Sequence, residues 1–443
     1  MKITFIRLNM FEHTSSDAMK PILFGIIKSL TPADYEIDFI DERVERLPER
    51  LDSDIIAFSV ETYTAKRAYI LARRYKTAGN IIVMGGFHMA VMAQEALRYA
   101  DTVIIGDAED TWGDFLADCA KGVPQKRYIS SEKSELPVMN ADLSGLENVY
   151  KHRYYNLGVY QISRGCKFHC EFCSIKTMYR CVRRKPVDAV VAELELVREK
   201  LIFFVDDNLF YDRDSALELF RRLAPLKKRW ACQISMDAAR DDELLSAMKE
   251  AGCFLVLMGF ESLNPGSLER MNKTANRAAV DYDAVIRNVY RHKMLIYGTF
   301  VLGYDSDDTE VFDKTLAFAL RNKLAVTNFN PLIPMPGTPV YARLERENRL
   351  IYKKWWLSDN YRYGETAFFP ARMTPEELRD GCLRIRTEFY STKCIVKRLF
   401  SNPIHFLPWN LAVFLLVNFI SRREIHSKQG QLLGGILHEA DVD

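Results

Sequence analysis

Cys166, Cys170 and Cys173 stand in a C-x-x-x-C-x-x-C spacing near the middle of the chain. The local run holds no fourth cysteine at a matching spacing. Three thiolates are one short of the four protein ligands that close a tetrahedral structural zinc site. Soft thiolates equally select an iron–sulfur cluster. A cubane held by three cysteines has one iron with no protein ligand, so the open position is a place for chemistry. A zinc knuckle completed by His169 or by a distant cysteine is the competing reading.

Such a loop needs a scaffold, and the flanking pattern supplies one. A strand at 159–163 delivers the cysteines, and a helix over 187–200 follows with Val190, Val191, Leu194 and Val197 on one face. Apolar runs at 201–205, 230–235, 254–258, 294–302 and 326–332 then alternate with helical segments. With the cysteine strand they make six βα units, an open, partial (β/α)6 TIM barrel. Polar residues collect at the carboxyl ends of these strands, where barrels place active sites. They include Asp206 and Asp207, Glu261, and the segment Gly303-Tyr304-Asp305. Gln233 interrupts an otherwise apolar strand, which points it into the cavity; a satisfied buried amide is the rival. Arg164, just ahead of the first cysteine, is a candidate holder of a nearby anionic group, with a solvated basic residue as the default reading.

The first third reads differently. Strands at 2–8, 35–40, 54–59, 81–84 and 102–105 alternate with helices at 21–30, 65–77 and 94–99. That is a Rossmann-like, doubly wound parallel sheet, whose ligands lie beyond the carboxyl ends of the strands. The expected organisation is a first domain over 1–125, a linker over 126–155, the barrel core over 156–345 and a mainly helical extension over 346–443. In the extension, Thr374-Pro375-Glu376-Glu377 starts a helix, with threonine at the cap and glutamate three residues on. The apolar run 409–420 is too short to span a bilayer, which takes about 20 residues. A lid or core helix, an interfacial helix and a partner surface compete for it. Trp409 at one end and Arg422-Arg423 at the other fit peripheral membrane contact through 403–423.

Composition sets limits. With 61 basic and 59 acidic residues, the net charge of +2 gives no nucleic-acid-binding surface. Nine cysteines in 443 residues are too sparse for a disulfide scaffold and fit a reduced, cytoplasmic compartment. The N-terminus begins a strand and lacks the pattern of a signal peptide.

With aromatic Phe172 just before the last cysteine, the run resembles the signature of the radical S-adenosylmethionine (SAM) superfamily. The resemblance implies a 4Fe–4S cluster on Cys166, Cys170 and Cys173, with SAM chelating the open iron and cleaved reductively to a 5′-deoxyadenosyl radical. It implies that Asp206 and Asp207 receive the SAM amino group, that Glu261 meets the ribose, that Phe172 lies on the adenine and that Gln233 stands beside them. A turn-capping role is the alternative for Asp207, and a surface carboxylate for Glu261.

The first third resembles the cobalamin-binding domain of a subfamily that includes anaerobic tetrapyrrole cyclases and hopanoid methylases. The stretches SVETYTAKRAYILA, GGFH and IIGDAEDTW look like its recurring loops. Ser59, Thr62, Gly85, Gly86, His88 and Gly106 would then contact cobalamin. The base-off motif D-x-H-x-x-G is absent; the first loop reads Glu12-His13-Thr14. A loop histidine bonded to backbone is the alternative for His13 and His88. The function implied is cobalamin-dependent C-methylation of a hydrophobic small molecule, fed by a reductant such as flavodoxin or ferredoxin. Cobalamin-independent cyclisation, oxidation or carbon–carbon coupling is the enzymatic alternative, and an electron-transfer or metal-binding scaffold the non-enzymatic one. A methylthiotransferase would need three further N-terminal cysteines, and that third holds only Cys119.

Overall fold

The computed structural model describes residues 1–15, 18–132, 136, 154–155, 157–210, 212–277 and 281–435. Most of the expected linker 126–155 lies outside the described residues. Its described beginning holds a strand that the sequence pattern does not announce.

The N-terminal sheet comprises β1 (Lys2–Arg7), β2 (Glu36–Asp41), β3 (Ile55–Ser59), β4 (Ile81–Gly85), β5 (Thr102–Ile105) and β6 (Arg127–Ile129), in the order β2-β1-β3-β4-β5-β6. Every pair is parallel. Alternate residues serve opposite faces. Phe5, Ala57, Val83 and Ile104 pack with Trp112 on one side, and Ile6, Phe58, Met84 and Val103 on the other. Burial on both faces explains why these strands read as continuous apolar runs. The helix expected at 94–99 runs instead over Met89–Ala96.

The core sheet comprises β7 (Gly158–Tyr160), β10 (Leu201–Phe204), β11 (Arg229–Ile234), β12 (Cys253–Glu261), β13 (Leu295–Leu302) and β14 (Val326–Pro331). They run in the order β14-β13-β12-β11-β10-β7, all parallel, so the barrel stays open between β7 and β14. The cysteine strand is broken. After β7, Ser163–Arg164 forms β8 and pairs antiparallel with β9 (Arg183–Arg184), pinching the base of the cysteine loop.

An open barrel leaves an unpaired edge, and the C-terminal helices satisfy it with side chains. Helix Pro375–Phe389 starts at the expected Thr374/Glu377 capping box and packs Leu378 against Gly303 at the barrel mouth. It runs down beside β14. There the Tyr390 hydroxyl accepts from Thr327 N (3.1 Å) and donates to Thr327 O (2.8 Å), and Arg386 donates to Phe329 O. Below the strand, Arg398 donates to the carbonyls of Leu324 and Ala325, and Asn418 donates to that of Ala325. The apolar run forms part of helix Pro408–Lys428, which lies along this edge rather than over the mouth, so it is not a lid. Among the described residues no helix is long and apolar enough to cross a membrane. Tyr390→Phe is expected to strand both polar groups of Thr327 and to cost about 1–3 kcal/mol in urea-unfolding free energy.

Candidate active site

The cysteine loop is held from several sides. Gly165 sits at φ +90, where a Cβ would come within 2.6 Å of the Cys181 carbonyl oxygen, so the pinch at its base requires glycine. Glu171 N donates to Met271 O (2.9 Å), and Asn272 Nδ2 donates to His169 O (3.0 Å). The Arg343 guanidinium forks onto the Glu171 carboxylate and reaches Asp305 at 2.8 Å. All three cysteines are free; Cys170 is buried, and Cys166 and Cys173 are half-buried.

Burial pushes the Cys173 thiol up to about 11 and raises that of Cys170, against the pull of the Lys273 ammonium. A bound cation supplies the charge that converts such thiols to thiolate ligands. Among the described residues no trio of His, Cys, Asp or Glu converges on a single metal ion. A cubane instead spreads its thiolates over separate irons, and three free thiols on one pinned loop fit that donor set.

The strand ends beside the loop carry the other candidates. Phe172 is half-buried against the barrel core. Asp207, on β10's exit, accepts from Gly165 N at 2.9 Å, and Gln233 Nε2 donates to Asp207 O at 3.1 Å. Glu261 adopts φ +62 after a register shift in β12, and its carboxylate folds back over Gly259. Lys273 Nζ meets Glu261 Oε1 at 2.8 Å. Burial works against the Lys273 charge, but Glu261 and Cys170 outweigh it and raise its pKa. The sequence reading missed Lys273, because nothing in its local spacing ties it to the cysteines.

Asp206 departs from expectation. Its carboxylate is turned into the scaffold, where it accepts from Ile162 N (3.1 Å), Ser163 N and Ser163 Oγ (2.6 Å). A carboxylate 2% exposed needs these donors, so it holds the root of the cysteine loop instead of facing a ligand. Burial pushes it up to about 6, although the donors pull the other way. A carboxyl raised in the fold contributes stability fully below its unfolded value, near 4, and loses it as pH rises through about 6. Wild type is therefore expected to lose about 1.4 kcal/mol between pH 5 and pH 7.5 that Asp206→Asn does not lose, read by urea titration at each pH.

A second feature is a cavity of about 420 Å³ at the carboxyl ends of the N-terminal strands, against the cysteine-loop side of the barrel. Ser59, Gly85, Gly86 and Gly106 line it from the first sheet, and Gln161, Arg164 and Tyr179 from the core. Apolar side chains such as Phe5, Ile26 and Trp112 line it together with polar ones such as Glu61, Asp107 and Gln161, and its size is that of a small-molecule site. Among the described residues no histidine lines it.

His88 and Thr62, expected there, lie elsewhere. His88 is fully buried, with its ring nitrogens toward Thr62 Oγ1 (3.2 Å) and Glu95 Oε1 (3.4 Å). Glu95 is also bonded by Trp356 and Lys354, so the histidine belongs to a packing network. Gly86 is needed for the fold itself, since a Cβ there would fall 2.7 Å from Val60 O. A Cβ on Gly85 would meet only ordinary contact, 3.7 Å from Ile104 Cβ.

Arg164 joins the two halves. It bonds Asp107 (2.9 Å) and Glu109 (2.6 Å) from the β5 exit loop and Gln161 from its own loop, while Arg183 also pairs with Asp107. Burial would lower the Arg164 pKa, but the two carboxylates more than reverse this and hold the guanidinium charged. The anionic group expected near Arg164 is thus provided by the first domain.

Comparison with known proteins identifies two stretches of the chain. Residues 160–316 match the model of the Radical SAM superfamily, and residues 338–424 match a Domain of unknown function (DUF4070). The Bacteriochlorophyllide d C-12(1)-methyltransferase of Chlorobaculum tepidum is 30% identical over 414 residues, covering 91% of this chain and 89% of that relative. The chain belongs to the radical SAM superfamily. The Hopanoid C-2 methylase of Rhodopseudomonas palustris is 25% identical, over 75% of this chain and 66% of the relative. Among solved structures, the cobalamin-dependent radical SAM enzyme OxsB superposes with a TM-score of 0.67 at 15% identity, covering 96% of this chain and 72% of OxsB. As a radical SAM protein the chain is an enzyme that works with a 4Fe–4S cluster, SAM, a small-molecule substrate and a reductant.

Proposed function

We propose that this radical SAM enzyme is a cobalamin-dependent C-methyltransferase acting on a hydrophobic, ring-built small molecule. The observation that carries the reading is the cavity between the first sheet and the barrel, placed where doubly wound sheets bind ligands and flanked by the root of the cysteine loop. Two of the relatives methylate polycyclic molecules according to their names, which supports both reaction and substrate class.

In this reading Cys166, Cys170 and Cys173 hold the cluster, and Asp207, Gln233, Glu261 and Phe172 surround SAM. Ser59, Gly85 and Gly106 border the corrinoid. When bound, these groups supply a methyl carrier and a 5′-deoxyadenosyl radical. The chain's own residues orient and shield. Lys273 holds the Glu261 carboxylate in place through its 2.8 Å ion pair. Asp206 fixes the loop root, and the Arg164 pairs hold the two cofactor regions in one geometry. The residues 403–423 bring the enzyme to a membrane surface.

Cobalamin retention tests the proposal. Protein incubated with hydroxocobalamin is expected to keep its visible absorbance through gel filtration. Its Co(II) paramagnetic resonance spectrum is expected to lack nitrogen splitting from a protein imidazole, because among the described residues no histidine lines the cavity. Loss of the colour on the column overturns cobalamin binding.

A further inference from the structure

We infer that the outward face of the two C-terminal helices, Thr392–Ser401 and Pro408–Lys428, docks on an anionic lipid bilayer. The longer helix buries two asparagines beside Phe414 and Ile425. Asn410 and Asn418 are buried against the barrel edge, where they bond the carbonyls of Lys293, Ile404 and Ala325. The solvent side carries Trp409, Leu415, Leu416 and Phe419 at helical spacing. Phe419 is 70% exposed and Phe400, on the shorter helix, 71%. The Phe400 ring lies 5.6 Å from that of Phe406, also exposed, which continues the apolar face from one helix to the next. A cluster of large apolar groups on the exposed side is not the pattern of a helix that faces only water.

Charge decides the occupant. Residues 391–423 contain lysines, arginines and no aspartate or glutamate. Arg398 is buried, but Lys393, Lys397, Arg422 and Arg423 are exposed, and among the described residues none of these four is paired with a carboxylate. Glu424, next along the helix, is paired with Lys428. An apolar face flanked by unpaired cations complements an anionic headgroup layer over an acyl core. A lipid surface serves this enzyme because its proposed substrate is hydrophobic; to that extent the inference rests on the proposed function.

The test reads binding apart from catalysis. Reconstituted holoenzyme is floated with phosphatidylcholine vesicles, with and without phosphatidylglycerol, at low and high salt. Wild type is expected to float with the anionic vesicles, less so in high salt. Leu416→Glu with Phe419→Glu, and separately Lys393→Glu with Lys397→Glu, are each expected to lower partitioning by about tenfold or more, with Lys393→Arg and Lys397→Arg retaining it. The variants should keep wild-type 5′-deoxyadenosine release, which shows them folded.

Absence of flotation, or flotation unchanged in both Glu variants, overturns the proposal. So does a wild-type dimer in sedimentation that Phe419→Glu splits and that does not bind vesicles, which assigns the face to a second copy. Failure of methylation with flotation intact contradicts the proposed chemistry and leaves the docking face standing.

Discussion

Cys170→Ala is expected to abolish the iron–sulfur absorbance of the reconstituted enzyme and to reduce 5′-deoxyadenosine release by more than about a hundredfold, beyond the cost of losing a supporting residue. Cys170 is the buried member of the trio, at the centre of a loop tied down by Met271, Asn272 and Arg343. Removing its sulfur leaves two thiols on that rigid loop; Cys181, across the base of the loop from Gly165, is exposed and lies outside the C-x-x-x-C-x-x-C run. Cys232→Ala is the control. Cys232 is buried in the barrel core, so its loss is expected to lower stability modestly and to leave the iron content unchanged. Iron and sulfide analysis with chromatography of the reaction mixture reads both variants.

Arg164→Met is expected to destabilise the protein by about 3–5 kcal/mol, read by urea unfolding. The substitution keeps the bulk of the side chain and removes its charge. Asp107 still has Arg183, but Glu109 is left buried with no cation, and Gln161 loses its donor. An unpaired buried charge is much more costly than a missing surface pair. Arg164→Lys is expected to recover only part of the loss, because a point charge cannot serve both carboxylates as the guanidinium fork does. Methyl transfer should suffer more than SAM cleavage, since the same fork registers the first sheet on the cysteine loop.

Much of this was legible in the sequence because it depends on local spacing. The cysteine run, the six core strands and the Thr374/Glu377 cap each announce themselves through pattern or period. What escaped depends on partners distant along the chain. β6 is three residues long with both ends exposed, so it has no apolar run to mark it. Lys273 joins the site only because β12 turns sharply at Glu261. Asp206 reads as a strand-end ligand, and only the fold shows three donors from Ile162 and Ser163 converging on it. His88 looks like a loop ligand beside Gly85-Gly86 until Glu95 and Thr62 are found against its ring. The apolar run after Trp409 leaves a core helix and a surface helix both open; in the fold Asn418 is drawn to the Ala325 carbonyl ahead of β14 and Asn410 to those of Lys293 and Ile404, which leaves Leu415, Leu416 and Phe419 exposed.

The most direct measurement is the stoichiometry of SAM products during turnover. Holoenzyme with hydroxocobalamin, a reductant and a hydrophobic extract as substrate source is supplied with SAM labelled at the methyl group. 5′-Deoxyadenosine and S-adenosylhomocysteine are then counted by mass spectrometry. The account predicts the two in equal amounts, with one labelled methyl per pair in the product and both absent from Cys170→Ala. 5′-Deoxyadenosine without S-adenosylhomocysteine would contradict methyl transfer.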